Sequence, residues 1–147
     1  MQLILVVEDE YGAAEVLQLM LEAHGFRVAS APNGKAALEL LEGEKPAVIV
    51  SDFMMPHMNG GELGAAIRDN PSLRDIPFIF TSGTSEDVVR ASFKDYDLFL
   101  AKPLFVDPLV EAIRRLADHG RPTPAREQDI SASMRHLLKG IEMPPGN

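Results

Sequence analysis

The chain has no cysteine and no tryptophan, and aromatic residues make up only 6% of its 147 positions. Without thiols there is no disulfide framework and no thiolate metal site, and the default expectation is a cytoplasmic protein. No apolar run approaches the roughly 18 residues that a membrane span needs. The opening stretch Met1-Gln2-Leu3-Ile4-Leu5-Val6-Val7 is too short for a signal peptide and lacks a basic leader, so it reads as a buried first strand. Basic residues are also scarce. Lys and Arg number 14 against 22 Asp and Glu, for a formal charge of −8. Residues 1–120 hold 10 basic and 19 acidic side chains, and residues 121–147 hold 4 and 3. Neither part has the clustered cations that nucleic-acid phosphates require, so direct DNA binding is not expected. The four histidines, His24, His57, His119 and His136, show no metal-ligand spacing, and His57 is read as a loop spacer.

What is present is an alternation of short apolar runs with amphipathic segments, in a chain long enough for one domain and a short appendage. Strands are expected at Leu3–Val7, Arg27–Ala31, Ala47–Ser51, Phe78–Ser82 and Leu98–Ala101. Continuous apolar character in several of them suits strands covered on both faces. Helices are expected at about Tyr11–His24, Gly34–Glu42 (capped by Asn33), Gly61–Asp69, Ser85–Phe93 and Asp107–Asp118. In the fourth, only Val88 and Val89 form a strong apolar pair. Five strand–helix units imply an α/β fold with a doubly wound, flavodoxin-like parallel sheet of order 2-1-3-4-5.

The acids are placed informatively. Glu8, Asp9 and Glu10 follow the first strand at once, and Asp52 follows the third at a solvent-facing strand end. In such a sheet, ligands bind beyond the carboxyl ends of the strands where the order reverses, between strands one and three. Asp9 and Asp52 should therefore be neighbours, with Glu8 close by. Carboxylates packed together are costly unless a cation joins them, and hard oxygens with no His or Cys suit Mg²⁺. An acidic cluster after a strand is more often just a solvated helix N-terminus. However, Lys102-Pro103 follows the fifth strand and Ser82 ends the fourth. Lys102 could pair with Asp52 or with an incoming phosphoryl group, and Ser82 offers a hydroxyl at the same edge.

Over roughly residues 3–119 the chain resembles the bacterial two-component response-regulator receiver domain. The resemblance rests on Glu8-Asp9, on Asp52-Phe53-Met54-Met55-Pro56 with Gly60 behind it, on Pro77 leading to Ser82-Gly83, and on Lys102-Pro103, in that order. It implies a phosphorylation switch in which Asp52 accepts the phosphoryl group. Asp9 would ligate Mg²⁺ directly, Glu8 largely through water, and Met54 through its backbone carbonyl. Lys102 would contact the phosphoryl group, Ser82 would move to hydrogen-bond it, and Phe99 would be the switch aromatic. The implied donor is a sensor histidine kinase or phosphotransfer protein, since no ATP-cradling glycine loop is present. The resemblance thus implies a signalling protein, an enzyme only in its own phosphorylation and dephosphorylation. The chain departs from the usual pattern at Glu8, where Asp is commoner, and at Gly83, where Ala is usual. Asp95-Tyr96-Asp97 replaces the usual Gly-Ala, and the stretch before Lys102 is short by a couple of residues.

Two other chemistries fit less well. A haloacid-dehalogenase-type phosphatase needs a second Asp two residues after its nucleophile, where this chain has Met54. A flavodoxin-like carrier would place a flavin phosphate after the first strand, against Glu8, Asp9 and Glu10. The chain is accordingly divided into a receiver at 1–120 and, at 121–147, a linker with a short helical tail too small to be an output domain. Ile130, Met134, Leu137, Leu138 and Ile141 recur there at helical spacing, with a helix expected at about 124–139. Such a stripe could dock on the receiver, on a second copy to give a homodimer, or on a partner, so output is expected through protein–protein contacts. In a competing reading the domain is a scaffold that acts through this tail without phosphorylation.

Overall fold

The computed structural model describes residues 1–122; the expected tail helix lies outside the described residues. Five strands and five helices alternate: β1 (Leu3–Val7), α1 (Tyr11–Ala23), β2 (Arg27–Ala31), α2 (Gly34–Leu41), β3 (Val48–Asp52), α3 (Gly60–Asp69), β4 (Phe78–Ser82), α4 (Glu86–Ser92), β5 (Leu98–Ala101) and α5 (Val106–His119). All pairings are parallel and the order is β2-β1-β3-β4-β5. The doubly wound architecture is as the alternating pattern implies.

The period of two along each strand divides the core into two layers. Leu5, Val7, Ile49, Phe78 and Phe80 face one side, with Ala37 and Leu41 of α2, Leu63 and Ile67 of α3 and Val89 of α4. Ile4, Val6, Val48, Val50 and Ile79 face the other, with Leu21 of α1 and Leu109, Val110, Ala112 and Ile113 of α5. Each of the large side chains that is fully buried contributes about 1.5–3 kcal/mol of hydrophobic stabilisation. Together they fix the strand ends from which the polar site projects.

Several boundaries shift by a residue. β3 runs to Asp52 instead of Ser51, because Asp52 still pairs in register with Thr81 of β4. The third helix starts at Gly60 under a complete capping box: Asn59 accepts from the Glu62 amide, and the Glu62 carboxylate accepts from the Asn59 amide. Asn33 caps α2 as expected, accepting from the Ala36 amide at 2.8 Å. The apolar pair expected on the fourth helix splits, with Val89 in the core and Val88 53% exposed. At seven residues α4 is less than two turns, and the chain that follows closes the core differently. Phe93 inserts against Gly64, where a Cβ would lie 2.6 Å from its ring. It joins Phe78, Phe80 and, through Phe80, Phe53 and Tyr96 in a cluster of edge-on rings.

Candidate phosphoryl-acceptor site

The site forms where β1, β3, β4 and β5 reach their carboxyl ends. Glu8, Asp9 and Asp52 bring carboxylate oxygens within 4.8 Å of one another, and this is the acidic group among the described residues able to hold a metal ion. Glu8 and Asp52 are buried and Asp9 is exposed, so the cluster is half sunk into the sheet edge. Asp52 is only 7% exposed, which corrects the solvent-facing placement expected from its position at a strand end. The chain after β3 folds over it. Gly60 donates to the Phe53 carbonyl at 2.8 Å. A Cβ at Gly60 would fall 2.6 Å from the Asp52 carbonyl, so only glycine fits that close approach.

Lys102 leaves the end of β5 and reaches back across the edge. Its Nζ donates to Glu8 Oε1 at 3.0 Å and to Asp52 Oδ2 at 3.2 Å. Burial opposes its charge, but the Glu8 hydrogen bond and the field of Asp52 outweigh that, and its pKa is raised above the ordinary lysine value. The ammonium thus remains charged throughout the neutral range. Three carboxylates against one ammonium leave a formal −2 around a space open to solvent through Asp9. That donor set, hard oxygens with uncompensated negative charge and no nitrogen or sulfur ligand, fits Mg²⁺.

Ser82, fully buried at the end of β4, has its hydroxyl oxygen accepting from the Thr84 amide at 3.0 Å. Its carbonyl accepts from the Lys102 amide at 2.8 Å, tying the β4 and β5 ends together. Phe99 is half-buried against the aromatic layer, in register with Phe80. Met54 turns its side chain outward at 60% exposure, while Met55 packs into the core. His57 has a positive φ of 70° in the β3–α3 loop, as a turn residue does.

Sequence reading missed a second polar centre at the opposite end of β5. The Asp97 side chain is only 4% exposed and lies between Arg68 at 3.1 Å and Arg121 at 3.0 Å. Its Oδ2 also accepts from the Phe78 amide at 2.8 Å, and its own amide donates to the Phe78 carbonyl. Asp97 therefore locks the starts of β4 and β5 to α3 and to the residues after α5. Arg121, assigned to a linker from its Pro-rich neighbours, is instead an anchored side chain that also pairs with Asp95. Burial, then the neighbouring Arg121 charge, lower the pKa of Arg68. Tyr96 donates its hydroxyl to Glu86, which joins the β5 approach to α4.

Comparison with known proteins agrees with this geometry. The model of the response regulator receiver domain matches residues 4–114, and the chain belongs to that family. Response regulator Rre1 of Synechocystis is 31% identical over 153 residues, covering 97% of this chain; this chain spans 66% of Rre1's length. The signal receiver domain of a signal transduction histidine kinase from Syntrophus aciditrophicus superposes with a TM-score of 0.75 at 35% identity, over 80% of this chain and 91% of its own. Response regulator protein TrrA of Thermotoga maritima, solved in complex with Mg(2+)-BeF, gives 0.72 at 28% identity, over 79% and 99%. The acidic pocket of Glu8, Asp9 and Asp52 fits Mg²⁺ and phosphorylation, as in a two-component response regulator. Among the described residues no helix is long and apolar enough to cross a membrane.

Proposed function

We propose that this receiver is a phosphorylation-dependent signalling switch that takes a phosphoryl group onto Asp52 from a phosphohistidine of a sensor histidine kinase or phosphotransfer protein. The observation that carries it is the position of Lys102, one ammonium held within hydrogen-bond reach of both Glu8 and Asp52. It is the charge that a transferring phosphoryl group needs beside its acceptor. An Asp52 carboxylate oxygen attacks the phosphorus as the donor's P–N bond breaks, and the electron pair returns to the imidazole nitrogen. Lys102 exchanges its hold on Asp52 for an equatorial phosphoryl oxygen while remaining close to Glu8. Mg²⁺, when bound by Asp9, Asp52, the Met54 carbonyl and, through water, Glu8, would neutralise charge on the phosphoryl oxygens.

Ser82 supplies the readout. Its hydroxyl oxygen accepts from Thr84 in the structure, so its proton is available to the acyl phosphate after a small reorientation. That contact exists only in the phosphorylated state, and it biases an existing equilibrium in which Phe99 turns inward. A tenfold shift in population needs only about 1.4 kcal/mol of such preference. The role is signalling, with catalysis confined to the protein's own phosphorylation and dephosphorylation. Partners then read the altered β4–β5 surface.

Incubation with acetyl phosphate, with and without Mg²⁺, tests the reading by intact mass. One added phosphate is expected only with Mg²⁺, and Asp9→Asn should lose most of the labelling. Metal-independent labelling, or full labelling of the variant, contradicts it.

A further inference from the structure

On the face away from the acid site, a groove of about 460 Å³ runs between the foot of β5 and the last turns of α5. Leu98, Ala112, Leu116 and Pro122 give it an apolar floor, and Arg115 and Asp97 stand on its rim. β5 is the edge strand of the sheet, so nothing from the sheet covers it. The chain leaves the described residues at this place. Gly120, with φ of 72°, turns the backbone at the end of α5, and Arg121 is then pinned to Asp95 and Asp97. Pro122 itself lines the groove. The exit is thus fixed in position and direction by ion pairs, one of them to a carboxylate that is only 4% exposed.

We infer that this groove is the docking site of the chain's own residues 123–147, which lay the apolar positions Ile130, Met134, Leu137 and Leu138 against Leu98, Ala112 and Leu116. Residues 123–147 carry three basic and three acidic side chains, so no net charge opposes the approach to a rim bearing both signs. Reach is sufficient. The groove begins where the described residues end, with Pro122 among its lining, so a segment continuing from residue 123 starts at its rim. Tethering also favours this occupant over a second copy, because a segment held at the rim meets the groove at an effective concentration in the millimolar range. The inference does not depend on phosphoryl chemistry at Asp52.

The absence of cysteine allows a direct test on the full chain. Arg115→Cys, at an exposed rim position, is combined in turn with Ser131→Cys, Ser133→Cys, Arg135→Cys and His136→Cys, followed by mild oxidation. An intramolecular disulfide at one or two of these positions, lost when Leu137→Asp and Leu138→Asp are added, is expected. Disulfides only between chains place the segment of a second copy in the groove, and overturn the proposal. Absence of any disulfide, or equal yields at all four positions with or without the aspartates, overturns it also. Tryptic cleavage of the unaltered chain after Arg135 and Lys139 gives an independent reading. It should be about tenfold slower than in the Leu137→Asp, Leu138→Asp variant, and equal rates count against docking.

Discussion

The Lys102 ammonium lies 3.2 Å from the Asp52 carboxylate, although fifty positions separate the two residues in the chain. Strand order makes the contact: β5 and β3 flank β4, and Lys102 reaches from one strand end to the other over Ser82. The same ammonium serves Glu8 at 3.0 Å. Removing it leaves two largely buried carboxylates facing each other, and Lys102→Met should cost about 1 kcal/mol of stability at pH 7, the partial exposure of Lys102 moderating the loss. Urea unfolding measures it, and Mg²⁺ should recover most of the difference. Unchanged stability in metal-free buffer would show that the three groups do not interact strongly.

The pH dependence of that contact follows from its direction. A raised folded-state pKa means that the Lys102 contribution is complete below the ordinary lysine value, about 10.4, and is lost as pH rises through the higher folded value. The Lys102→Met variant should therefore show its full deficit at pH 7 and a smaller one in strong alkali.

Removing a carboxylate should have the opposite effect. Asp9→Ala relieves repulsion with Glu8 and Asp52 and is expected to raise the melting temperature in EDTA. It should also abolish the rise that Mg²⁺ produces in the parent. A preserved Mg²⁺ response in this variant would place the ion elsewhere.

At the other end of β5, Asp97→Ala removes the carboxylate shared by Arg68 and Arg121 and leaves the Phe78 amide without its side-chain partner, while Arg68 keeps its bonds to the Asp95, Arg74 and Ile76 carbonyls. A loss of about 2–3 kcal/mol is expected by urea unfolding at pH 7. A loss below about 1 kcal/mol would mean that the pairs are solvated in solution.

Tyr96 offers a spectroscopic check. Burial and its hydrogen bond to Glu86 push the phenol up to about 12. The folded state holds this proton more tightly than the unfolded chain, whose tyrosine titrates near 10. The bond's contribution is thus complete below about pH 10 and lost between there and 12. Absorbance titration should show a late tyrosinate step that Tyr96→Phe removes. A parent without that step contradicts the bond.

The architecture and the acid site were legible because both are written in local pattern. Short strand segments of four or five residues alternate with amphipathic segments, and the polar residues that matter fall at their carboxyl ends: Glu8 and Asp9 after β1, Asp52 at the end of β3, Ser82 at the end of β4, Lys102 after β5. Once strand order is assumed, these residues must converge. The Asp97 centre was not legible, because Arg68 lies 29 positions away on a helix and Arg121 sits beside a proline that suggests a linker. Burial of Asp52 was missed for a related reason. It depends on the loop through Gly60 folding back over the strand end, which pattern alone does not show.

The measurement closest to the central claim locates the phosphoryl group itself. After phosphorylation with acetyl phosphate and Mg²⁺, borohydride reduction converts an aspartyl phosphate to homoserine, which tandem mass spectrometry of peptides can place. Homoserine at position 52, absent from Asp52→Asn and from unphosphorylated protein, is the expected result. Label at Asp9, at another acid, or undiminished in Asp52→Asn would contradict the assignment of Asp52 as the acceptor.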